Sequence, residues 1–194
     1  MTDFWLYLKL GLEHILDWQG YDHLLFLVAL SAAFTFVSWR RLFVLVTAFT
    51  LGHSISLLLS HYNVFTINSA WIECLIPITI LLAGVYNLFS LRGKAEISTP
   101  WLLLATSLIF GLIHGFGFAG YFNMILIEET EALQSLFYFA MGVELAQLII
   151  VLVVLILTWL FQEHFKISRK MWIMVVSIVV VLLSIPMIFG SCLS

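Results

Sequence analysis

A chain of 194 residues that is 63% apolar and only 10% charged, with a mean hydropathy of +1.12, lacks the polar surface a soluble domain of this size needs. A formal net charge of -3 gives no electrostatic footprint for nucleic acid, which is excluded as a partner. The composition points to an all-α, polytopic helical bundle in a lipid bilayer, and residues 1–194 read as one integral-membrane domain without repeats or linkers.

The start, Met1 to Trp5, has no basic stretch and no small-residue cleavage site, so no cleavable signal peptide is expected. Residues 1–20 follow a helical pattern but carry Lys9, Glu13, His14 and Asp17. This pattern predicts an amphipathic helix that lies at the interface or folds back, re-entrant, into the bundle. Residues 21–190 form the transmembrane part. Apolar runs of roughly 20 residues are needed to span the hydrocarbon. About six are predicted, at 21–38, 42–61, 69–91, 101–120, 132–161 and 170–190, the fifth long enough to tilt or project. Cys74 and Cys192 lie far apart in apolar surroundings without a CxxC spacing, and are read as buried small residues, with a disulfide left open.

Basic residues set the orientation. Arg40 and Arg41 fall in the first loop, Arg92 and Lys94 in the third, and Lys166, Arg169 and Lys170 around the fifth. The second loop has none, and the fourth carries Glu128, Glu129 and Glu131. The positive-inside rule then makes the odd loops cytoplasmic and puts both termini on the non-cytoplasmic side.

Ionisable groups inside spans are costly and usually kept for function. Asp22 and His23 open the first span, and His53 lies about 12 Å inward from the outer end of the second. Glu73 sits one turn into the third, His114 below the outer end of the fourth, and Glu144 near mid-membrane in the fifth. All face the outer half of the bilayer, and His14 on the preceding segment can join them. Imidazole with carboxylate suits Ni, Co or Zn, whereas an all-oxygen set would suit Mg or Ca. His23, His53, His114, Asp22, Glu144 and His14 are therefore the candidate ligands. Ser54, Glu73 and Gln147 are the candidate supports around them, Gln147 lying three residues after Glu144 on the same helical face. Asn87, near the inner end of its span, is left out. Glycines flank the histidines at Gly52 and at Gly111, Gly115, Gly117 and Gly120. They either pack helices closely or permit unwinding beside a cavity.

Five stretches taken in order resemble one family. Gly11-Leu-Glu-His14, Gly20-Tyr-Asp22-His23, Phe49-Thr-Leu-Gly-His53-Ser54, Phe110-Gly-Leu-Ile-His114-Gly-Phe-Gly and Gly142-Val-Glu144-Leu-Ala-Gln147 are similar to the HupE/UreJ family over about Gly11 to Leu155. The resemblance implies a small polytopic protein of a bacterial cytoplasmic membrane linked to nickel or cobalt supply for metalloenzymes. It also implies that His14, Asp22 and His23 are ligands on an uptake path. Here seven residues separate His14 from Asp22, where the family usually has five.

Three functions are consistent with these residues. The first is uptake of nickel or cobalt through an outward-opening site, although few polar groups lie below Glu144 to carry an ion onward. The second is an intramembrane hydrolase dependent on zinc or another metal, acting on a lipid or membrane peptide, with Glu144 as general base. The third is a metal-binding accessory protein that serves metalloenzyme maturation partners.

Overall fold

The computed structural model describes residues 3–18, 20–65, 67–91, 100–126 and 132–192. Arg92, Lys94, Glu128, Glu129 and Glu131 lie outside the described residues. Seven helices, and no strand, are found among the described residues. They are α1 (Asp3–Leu16), α2 (Asp22–Ser31), α3 (Trp39–His61), α4 (Ser69–Ser90), α5 (Pro100–Ile125), α6 (Ala132–Trp159) and α7 (Arg169–Cys192). A short 3₁₀ turn, Phe36–Ser38, leads into α3, and a π turn, Leu160–His164, extends α6.

Helices α3 to α7 are long and apolar enough to cross a membrane. Large side chains such as Trp101 (79% exposed) and Leu182 (60%) stand on the outer surface, a pattern that only a lipid solvent explains. The predicted span at 21–38 is corrected. Helix α2 has 10 residues, rising about 15 Å, half the hydrocarbon thickness. The chain turns at Thr35, whose backbone N–H donates to Ser38 Oγ while Ser38 Oγ donates back to the Thr35 carbonyl, and this pair starts a new helical segment.

The bundle has two distinct ends. At one, Cys74 and Cys192 form a disulfide between α4 and α7, the pairing their sequence positions left open. His61 and Asn123 hydrogen-bond there at 3.1 Å, and the Tyr7 hydroxyl reaches the Ile125 carbonyl. At the other end lie Arg40, Arg41, Lys166, Arg169 and Lys170. Between the ends, α1 packs its Tyr7–Gly11–Ile15 face on the first half of α6 and turns the Lys9–Glu13 ion pair outward. That is the predicted amphipathic helix, folded against the bundle. Helix α2 occupies the other half: it starts beside His114 and ends near Asn87, whose side chain donates to the Ala29 carbonyl.

Candidate metal centre

The histidines are positioned by helices that meet backbone to backbone. A Cβ on Gly52 would strike the Leu108 carbonyl, one on Gly111 the Phe49 carbonyl, and one on Gly115 both Ser56 Oγ and the His53 carbonyl. These contacts join α3 to α5 on either side of His53 and His114. Gly11 and Gly142 do the same for α1 and α6, three residues before His14. Since α5 is an unbroken helix through these positions, its glycines at 111 and 115 pack helices and do not unwind them.

Four imidazoles converge as a result. Ring centroids are 4.6 Å apart for His14 and His23, 5.4 Å for His14 and His53, and 4.9 Å for His23 and His114. His23, His53 and His114 are buried, His14 half-buried. All four Nε2 atoms are buried without a hydrogen-bond partner. One such atom in a core calls for an explanation, and here four lie on neighbouring rings; wherever Nε2 keeps its lone pair, a metal ion would satisfy it. The opposite ring nitrogens are engaged in two cases. His114 Nδ1 donates to the Phe110 carbonyl at 2.8 Å, and His23 Nδ1 donates to Asp22 Oδ1 at 3.1 Å. Those bonds fix the tautomer that leaves Nε2 with its lone pair free, the arrangement that metal-ligating histidines show.

Two groups of three ligand atoms lie within 4.8 Å of one another: His14, His23 and His53, and Asp22, His23 and His114. They share His23. Asp22 Oδ2 lies 3.8 Å from His114 Nε2, and the Asp22 side chain keeps 18% exposure, more than the side chains of His23 and His114. The neutral-nitrogen and carboxylate donor set fits a first-row divalent transition metal.

The other predicted residues fall outside these groups. Glu144 is half-buried and accepts hydrogen bonds from Thr47 at 2.6 Å and from Thr50, one turn from His53. The Thr50 hydroxyl oxygen also lies 3.0 Å from the side-chain amide of Gln147, which is fully buried. Glu144 and Gln147 thus fasten α6 to the ligand-bearing α3. Ser54 is half-buried beside His53, and Glu73 is exposed on α4. Sequence reasoning missed Thr47 and Thr50, and also the aromatic lining. Phe118 stacks 3.8 Å from His14 and Phe139 lies behind His53, while Phe26, Phe49 and Phe110 close the centre toward the basic end. The extra residues between His14 and Asp22 are absorbed in the turn after α1, since His14 still reaches His23.

A family model described as HupE / UreJ protein matches residues 1–190, and the chain belongs to that family. No curated protein and no solved structure shows a significant match.

Proposed function

We propose that this HupE/UreJ protein binds a divalent transition metal, nickel or cobalt, at the His14–Asp22–His23–His53–His114 centre and takes it up from the disulfide-bearing side of a cytoplasmic membrane. The carrying observation is the four unpartnered Nε2 atoms on neighbouring rings, with the Asp22 carboxylate beside His23 and His114. Two independent features support the sidedness. Basic residues gather at the opposite end, as cytoplasmic ends do, and a disulfide persists in oxidising compartments. Family membership supports nickel or cobalt uptake, or an accessory role beside metalloenzyme maturation partners. Purified protein reconstituted in liposomes is expected to accumulate Ni²⁺ or Co²⁺, and His53→Ala to abolish the accumulation. Uptake no faster than in empty liposomes overturns the transport reading.

A second reading is favoured by one observation, the aromatic floor formed by Phe26, Phe49 and Phe110 beneath the ligands. A closed floor suits an ion that stays. Zn²⁺ held by these histidines and Asp22 would supply an activated water for hydrolysis of a lipid or membrane peptide. Glu144 fits poorly as the base of that reaction, because its carboxylate is taken up by Thr47 and Thr50. Chelator-sensitive turnover of a lipid or peptide by purified protein, without ion accumulation, would select this reading.

A further inference from the structure

A cavity lies below the metal centre, in the half of the bundle nearer the basic end. It has a volume of about 380 Å³, within the range of ligand pockets. Its ceiling is the Phe26–Phe110 edge contact, its walls include Leu30, Ala83 and Leu103, and Ala33 lies at its basic end. The cavity exists because α2 is short and α4 packs loosely on α5; Leu82, Tyr86 and Leu102 carry its lining out to the lateral surface. Its lining follows α2 from Phe26 to Leu30, a rise of about 6 Å, and continues past the helix end to Ala33 and Phe34.

We propose that this cavity holds one acyl chain of an anionic phospholipid from the leaflet at the basic end. The lining is almost wholly hydrocarbon, which suits a chain and repels a hydrated ion; the few polar groups, such as Asn87 and Ser107, are already bonded to the Ala29 and Leu45 carbonyls. The head-group end is marked by charge. Arg169 donates one Nη2 hydrogen bond to the Ala33 carbonyl at 2.7 Å, directly at the cavity's edge, and its exposed guanidinium keeps further donors for a phosphate. Lys170 follows it in the chain. The chain terminus then abuts Phe26 and Phe110, the rings that also close the metal centre, so the lipid supports the floor of that centre from below. The occupant is a bilayer lipid whether the centre transports or retains its metal.

The test uses full-length protein in vesicles of phosphatidylglycerol and phosphatidylcholine, each carrying a photoreactive diazirine at the chain end, with mass-spectrometric mapping of labelled residues. Phe26 and Phe110 are expected to be labelled well above Leu152 and Leu182 on the outer surface, which exchange freely with bulk lipid. Ala83→Phe and, independently, Ala33→Phe are expected to bring cavity labelling down to the outer-surface level while bound metal stays unchanged. Arg169→Gln is expected to remove the roughly fivefold preference for the anionic lipid that one surface cation confers. Cavity labelling no higher than at Leu152, or labelling that survives both filling variants, overturns the acyl-chain assignment. Equal labelling by the two lipids in the unaltered protein overturns the head-group assignment.

Discussion

Gly115→Ala tests whether helix approach, and not merely the ligands, makes the metal centre. The added methyl would meet Ser56 Oγ, the His53 carbonyl and, at 3.0 Å, the His53 Cα. Two of these atoms are backbone and cannot rotate aside. The neighbouring contacts at Gly52 and Gly111 hold α3 and α5 just as closely, so relief requires the pair to part by about 1 Å. Overpacking of this kind costs about 1–3 kcal/mol, against a helix-propensity gain of about 1 kcal/mol for replacing glycine by alanine. Because His53 and His114 sit on the two helices that separate, and functional geometry tolerates only about 0.5 Å, metal affinity is expected to fall about 10–100-fold. Gly120→Ala is the control: nothing lies within 4 Å of its Cβ position, so the same substitution one turn further on is expected to stabilise the protein or leave it unchanged. Thermal unfolding and metal titration of purified protein measure both quantities. A Gly115→Ala protein with unaltered stability and metal affinity would refute the reasoning.

Three other outcomes are expected. His23→Ala, which removes the ligand common to both groups, is expected to lower bound metal more than His53→Ala or His114→Ala, as read by elemental analysis; equal losses would contradict the shared role. Thr50→Val removes the hydroxyl that sits between Glu144 and Gln147 and is expected to cost about 1–3 kcal/mol of stability, with metal content retained; loss of metal without loss of stability would instead make Glu144 a ligand. In oriented membrane vesicles, a membrane-impermeant reductant followed by maleimide is expected to label Cys74 and Cys192 only from the non-cytoplasmic side, and labelling from the other face would invert the orientation.

Much of the architecture was legible because the bilayer imposes length and hydropathy together. Helices α3 to α7 lie close to the predicted spans, with α5 running five residues beyond its predicted end at residue 120. Hydropathy failed at 21–38 because it measures composition and not continuity. The apolar run continues through Ala32, Ala33 and Phe34 while the helix stops at Ser31. The stop had a local signal in Thr35 and Ser38, which exchange side-chain and backbone hydrogen bonds. The histidines were legible because charge-capable groups in spans are few, and the structure brings four of them together with Asp22. Thr47 and Thr50 were not, since threonine is common in membrane helices and only the α3–α6 packing reveals their carboxylate partner. The Cys74–Cys192 pair, 118 residues apart, likewise required the α4–α7 pairing to be known.

The polarity of the molecule constrains how an ion would move through it. Asp22 is the one carboxylate in the two groups, and His23 links its group to the His14–His53 pair. On the uptake reading, one imidazole shared between two groups would let an ion shift without losing all protein ligands. Beyond that, Phe26, Phe49 and Phe110 stand between the histidines and an apolar cavity. Hydrated metal has no favourable contact there, so passage toward the basic end requires those rings to move and water to follow. On the proposed uptake reading, passage toward the basic end therefore depends on rearrangement of this aromatic floor.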